Sequence, residues 1–250
     1  IVARPATVAA LLEARRNDPA VGLRHLDASW SWEQVVSESE RRAAMAVGLR
    51  REGPWHIGVL LANVPDYLFW IGGAALCGAT IVGINPTRRG AELGADIRHT
   101  DCQLLVTDSS GVALLDGVDT GLGPDRIVRV DEPEPTTPQT HTRMAPPGPE
   151  AVLFLLFTSG TTGAPKAVRC SQGRFSGIAA NVVGRYGFTP DDVCYCPMPL
   201  FHGNALMALW SGALQVGACV ALPTEGRFSA RGFLPDVRRY DVRKREEHRR

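Results

Sequence analysis

Four hydroxyls, two glycines and a lysine crowd the segment 157–166, FTSGTTGAPK, and they directly follow an unbroken apolar run. Thr158, Ser159, Thr161 and Thr162 supply donors and acceptors, while Gly160 and Gly163 allow positive φ and let backbone N–H groups approach an anion closely. Lys166 sets a compact ammonium at the far end. This is the chemistry of a loop that holds a polyphosphate. Arginine fills nearly every other cationic position, since the chain carries 25 arginines and only two lysines, Lys166 and Lys244. A lysine kept inside the glycine-rich loop suits a pocket with little lateral room, where a point charge is wanted rather than a planar fork. Its charge-assisted contact is worth roughly 1.5–3 kcal/mol. The alternative for such a segment is a solvated Ser/Thr/Gly loop between two strands.

The spacing excludes a Walker A loop, which needs Gly-x4-Gly-Lys-Ser/Thr. Here Gly160, Gly163 and Lys166 are each separated by two residues, and Ala167 stands where the magnesium-binding hydroxyl would follow.

A phosphate loop needs a rigid strand in front of it, and residues 151–157 are all apolar. They are too few for a typical helix and do not alternate, so they predict a strand buried on both faces. Upstream, Ser31 and Gln34 fit a capping box opening a helix to about residue 51. Strands are predicted at 57–61, 80–84, 104–106 and 127–130, and helices at 66–77 and 91–99. Downstream come a helix at 176–185, a strand at 193–196, a helix at 205–214 and a strand at 218–222. Strands separated by helices imply βαβ units and a parallel α/β sheet.

Between 131 and 150 six prolines fall in twenty residues, which marks a surface connection. It divides the chain into an α/β part at 1–130 and a phosphate-loop part at 151–240. The stretch 67–84 lacks charge and approaches the ~17–20 residues of a membrane span. Its four glycines and its change of character near Thr80 predict a buried helix followed by a buried strand instead. No signal peptide is expected.

The chain has 250 residues, 44% of them hydrophobic, and a net charge of +1, so no nucleic-acid partner is indicated. Six cysteines contain no C-x-x-C pair, and Cys194 and Cys196 have no histidines at metal spacing. They predict reduced, mostly buried thiols in a cytoplasmic protein.

The segment TSGTTGAPK resembles the phosphate-binding loop of the AMP-forming adenylate synthetases, the family of acyl-CoA ligases, luciferases and peptide-synthetase adenylation domains. Three further segments are similar to core motifs of that family: WSWEQV at 30–35, ALCGATIVGINP at 75–86 and PMPLFHGN at 197–204. The last looks closest to fatty-acid-CoA ligases of the very-long-chain and fatty-acid-transport type. The resemblance covers about residues 5 to 240.

That resemblance implies the αβαβα layers of the family's N-terminal domain and a two-step reaction. A carboxylate attacks the α-phosphate of ATP to give an acyl-adenylate and pyrophosphate, and coenzyme A then displaces AMP. Residues Thr158, Ser159, Gly160, Thr161, Thr162, Gly163 and Lys166 would hold the β- and γ-phosphates, with the Thr158 hydroxyl a ligand for Mg²⁺. His202 would border the acyl and adenylate pocket as the catalytic-site residue, or else simply cap the following helix or hydrogen-bond a carbonyl. Phe201 and Met207 either line an acyl tunnel or pack in the core. The other five histidines match no motif. The expected substrate is a long or very-long fatty acid or another hydrophobic carboxylate such as a sterol side-chain acid, with peripheral membrane contact left open.

Members of the family are usually about twice this length, and their later motifs do not occur here. The charged tail 241–250, with Val242 as its single aliphatic, is expected to stand outside the family fold. An N-terminal half with an incomplete active site, a phosphate-binding module completed by another chain, and a non-functional fragment are the readings this leaves.

Overall fold

Ser31 and Gln34 do form the reciprocal cap. Ser31 Oγ accepts from the Gln34 N–H at 3.1 Å, and Gln34 Oε1 accepts from the Ser31 N–H at 2.8 Å. The computed structural model describes residues 6–133, 145–158 and 166–243. The first part contains α1 (Val8–Glu13), β1 (Val21–His25), β2 (Ala28–Ser31), α2 (Trp32–Gly48), β3 (His56–Leu60) and α3 (Pro65–Cys77). There follow β4 (Thr80–Gly83), α4 (Gly90–His99), β5 (Cys102–Thr107), α5 (Ser109–Leu114) and β6 (Ile127–Arg129). Beyond the proline-rich segment lie β7 (Val152–Thr158), β8 (Lys166–Ser171), α6 (Gln172–Tyr186) and β9 (Val193–Tyr195). The last described elements are α7 (Gly203–Ala205), a π turn (Leu206–Trp210), α8 (Ser211–Val216), β10 (Cys219–Ala221) and α9 (Ala230–Arg239).

The strands form a large sheet of order β6-β5-β3-β4-β7-β8 and a small one of order β2-β1-β10-β9. Neighbours are parallel except at two edges, where β8 runs against β7 and β2 against β1. The expectation of a parallel sheet therefore holds for the interior and is corrected at these edges. Strands from both sides of the proline-rich segment share both sheets, because β4 pairs with β7 and β1 with β10.

Alternation along the strands explains the layering, since successive side chains leave opposite faces. Ile57, Val59, Leu104 and Val106 of the large sheet share one core with Leu23 and Val220 of the small sheet and with buried residues of α1, α2, α3, α6 and α8. Leu60, Val82 and Leu105 face the other way, into a second core with Leu93 and Ile97 of α4. Val193, Tyr195, Cys219 and Ala221 form a third with Tyr240, just after α9. The stack is α9, small sheet, central helices, large sheet, α4 with α5, which is the αβαβα arrangement.

Two central helices approach closely where side chains vanish. A Cβ on Gly73 of α3 would lie 2.9 Å from the backbone nitrogen of Ala43 in α2. The uncharged stretch 67–84 contains most of α3, a left-handed Gly78 at φ 83°, and β4. No described helix is long and apolar enough to cross a membrane.

The start of the tail differs from expectation. Val242 packs against the third core, and Arg243 exchanges backbone hydrogen bonds with Val193 at the open edge of β9. The rest of the tail lies outside the described residues.

Candidate active site

Leu153, Phe154, Leu155 and Leu156 of β7 are each buried, as the unbroken apolar run requires. One side of β7 pairs with β4 through Ile81 opposite Phe154 and Val82 opposite Leu155. The other side pairs with β8 in a register that ends with Thr158 opposite Lys166. The two ends of the sequence motif thus meet at the mouth of a hairpin, and residues 159–165 connect them. Ser159, Gly160, Thr161, Thr162 and Gly163 lie in that connection, outside the described residues.

A strap leads from the small sheet to this hairpin. After β9 the chain runs through Pro197 and Pro199, neither of which has an N–H to donate, and reaches Phe201 and His202. Phe201 lies against the end of β4, where Gly83 leaves room for its backbone. Gly203 lies against Leu156 of β7, whose Cδ1 would be 2.9 Å from a Cβ added there. His202 therefore stands beside the C-terminal ends of β4 and β7, the edge where open parallel sheets bind ligands. Its ring is exposed and stacks on Phe201 with centroids 4.3 Å apart. It occupies the N-cap position of α7 but makes no side-chain capping bond.

Helix α7 passes at once into the π turn, where the Ser211 hydroxyl donates to the Met207 carbonyl at 2.7 Å. Single π turns inside helices recur at functional sites. Met207 and Phe201 are both half-buried, Met207 within reach of Gly203.

Asn63, absent from the sequence-based expectations, holds the strap. Its amide donates to the carbonyls of Cys196 at 3.2 Å and Met198 at 2.8 Å, and its Oδ1 accepts from the Leu200 N–H at 2.9 Å. The available signal was a lone amide in the apolar run LLANVP, just where a strand ends.

Behind the strap, beneath α9, the Asp236 carboxylate accepts from the Tyr195 hydroxyl at 2.7 Å and from the Thr224 N–H at 3.2 Å. A cavity of about 330 Å³ opens there, lined by Thr224, Arg227, Arg231, Asp236 and Arg239 among others. None of its lining residues belongs to the strap or to β7. Among the described residues no three His, Cys, Asp or Glu side chains gather as a metal site. All six cysteines are free, with Cys194 half-buried and the others buried.

The hairpin and the histidine strap meet at the ends of parallel strands, and the chain belongs to the AMP-binding enzyme family, matched over residues 9–244. Among curated relatives it is 56% identical over 238 residues to a steroid-22-oyl-CoA synthetase of Rhodococcus jostii, covering 93% of this chain and 42% of the relative. It is 37% identical over 228 residues to a medium/long-chain-fatty-acid–CoA ligase, FadD17, of Mycobacterium tuberculosis, covering 88% of this chain and 43% of the relative. The chain thus spans less than half the length of the relatives it matches. Among solved structures, an anthranilate CoA ligase, AuaEII, in complex with anthranoyl-AMP has a TM-score of 0.82 at 21% identity, covering 96% of this chain and 49% of that one. ATP-bound MatB from Rhodopseudomonas palustris has a TM-score of 0.74 at 19% identity, covering 94% of this chain and 48% of that one. These two likenesses establish the shared fold.

Proposed function

We propose that this chain provides the triphosphate-holding and carboxylate-facing part of an ATP-dependent acyl-CoA ligase that acts on a bulky hydrophobic carboxylate. The observation that carries this is the β7–β8 register, which brings Thr158 and Lys166 together at the ends of the glycine and hydroxyl loop. A carboxylate is already ionised at neutral pH and needs no protein base to become a nucleophile. The larger demand is stabilising charge on the phosphates, which Lys166 and the backbone N–H groups of 159–163 meet. Thr158 offers a hydroxyl to Mg²⁺, which when bound offsets phosphate charge. His202 and Phe201 border the carboxylate. Coenzyme A is the acceptor in the second step.

The substrate class rests on the names of the relatives, a steroid-22-oyl-CoA synthetase and a medium/long-chain-fatty-acid ligase. A steroid side-chain acid and long fatty acids are both within it. Cytoplasmic location belongs to the same reading, supported by the free thiols, which a reducing compartment maintains.

Calorimetric titration tests the phosphate loop. ATP binds the wild-type chain, and Lys166→Ala weakens it about ten- to a hundredfold, as expected for one charge-assisted contact. Equal affinity in both proteins would remove the loop from the mechanism. A steroid side-chain acid, palmitate and acetate are then titrated into the ATP-loaded protein. Heat from the hydrophobic acids and none from acetate is expected; equal binding of acetate would overturn the substrate class.

A further inference from the structure

Asn63 is 2% exposed, and both amide donors and the carbonyl oxygen of its side chain are engaged within the strap. Its own backbone N–H donates to the Gly226 carbonyl at 2.8 Å, in the loop that follows β10. One residue at the end of β3 in the large sheet therefore holds the C-terminal extensions of two small-sheet strands, β9 and β10. The strap has few other anchors of its own. The Cys196 N–H pairs with Ala221, the His202 N–H turns back to Pro199, and the two prolines donate nothing. Beyond the Asn63 bonds the strap rests on close packing at Gly83 and Leu156.

We propose that Asn63 is a positioning residue for carboxylate binding: it fixes the strap 196–202 and thereby sets where Phe201 and His202 stand beside the phosphate hairpin. This rests on His202 and Phe201 bordering the carboxylate, as proposed above. Among the described residues Asn63 hydrogen-bonds neither β7 nor β8, so its effect falls on the carboxylate side and spares the triphosphate side. A purely structural asparagine would weaken both sides or neither.

Two variants separate its bonds. Asn63→Ala removes all three side-chain bonds. Asn63→Asp is nearly isosteric and retains an acceptor for the Leu200 N–H, but turns a carboxylate oxygen toward the carbonyls of Cys196 and Met198. If the alanine variant fails to fold, the aspartate variant carries the test.

Calorimetry with ATP and with a hydrophobic carboxylate is combined with NMR of histidine-labelled protein. In folded variants the carboxylate affinity falls about tenfold or more, as expected when a binding group is displaced by a fraction of an ångström. ATP affinity stays within about twofold of wild type. The His202 resonance shifts, while that of His56, bonded to the Thr100 carbonyl, does not. An unmoved His202 resonance, or parallel losses of both affinities, overturns the proposal. A shifted His202 with unchanged carboxylate affinity upholds the strap's anchoring but overturns its role in carboxylate binding. If the wild-type protein binds no carboxylate at all, the functional proposal fails, and the His202 shift alone still reports whether Asn63 positions the strap.

Discussion

Gly83 and Phe201 meet backbone to backbone: a Cβ on Gly83 would lie 2.8 Å from the Phe201 carbonyl oxygen and 3.0 Å from its Cα. The neighbour is main chain, not the end of a flexible side chain, so it yields only if the strap moves. Gly83→Ala is expected to lower stability by about 1–3 kcal/mol, the usual cost of overpacking. It also displaces His202. Urea unfolding measures the first effect and the His202 resonance the second. A variant as stable as wild type with an unmoved His202 would show that this contact does not position the strap.

Lys166 tests whether charge alone suffices at the hairpin mouth. Arginine serves nearly everywhere else in the chain, and a planar guanidinium needs more lateral room than an ammonium. Lys166→Arg is therefore expected to recover less than half of the binding free energy lost in Lys166→Ala, measured by ATP calorimetry. Full recovery would mean that the loop does not discriminate shape.

The elements legible in the sequence were those with a local signal of their own. The Ser31 and Gln34 box and the apolar run of β7 each fix a boundary through nearest-neighbour chemistry. Strand β8 was not legible, because exposed residues interrupt it. Val168 is 40% exposed and Arg169 is exposed too, so no apolar pattern marks it. The β1–β2 hairpin has strands of only five and four residues, too short to carry an apolar pattern of their own. Sheet membership was hidden altogether, since pairing β1 with β10 joins residues about two hundred positions apart. The same applies to the site. Loop chemistry is written in consecutive residues, whereas Asn63 acquires meaning only when the fold brings Cys196, Met198 and Leu200 to it.

The thiols give a test that needs no ligand. Burial pushes Cys77, Cys102 and Cys219 up to about 11, and Cys194 and Cys196 to about 12. Burial raises Cys170 as well. The thiolate is the reactive form, and these groups are both protonated and shielded near neutral pH. Native protein is expected to react very slowly with a disulfide reagent, and all six thiols to react at once in denaturant. Rapid reaction of a native thiol would place that cysteine at an opening the structure lacks.

Asp236 predicts a specific acid sensitivity. It is 4% exposed, and burial alone would push its carboxyl up. The bonds from Thr224 and Tyr195, with Arg239 nearby, outweigh burial and hold it below its ordinary value. An aspartate in the unfolded chain titrates near ~3.9, so on acidification the unfolded state takes up this proton first. The stabilisation is complete above that value and is lost as pH falls through the lower folded value. Asp236→Asn removes the titration together with the charge that strengthens the bonds from Thr224 and Tyr195, and it costs about 1–3 kcal/mol at neutral pH. Urea midpoints of both proteins, measured between about pH 7 and pH 3, isolate this group from the other carboxylates. The gap between wild type and variant should narrow as the pH falls, and a constant gap would mean that the Asp236 bonds do not favour its ionised form.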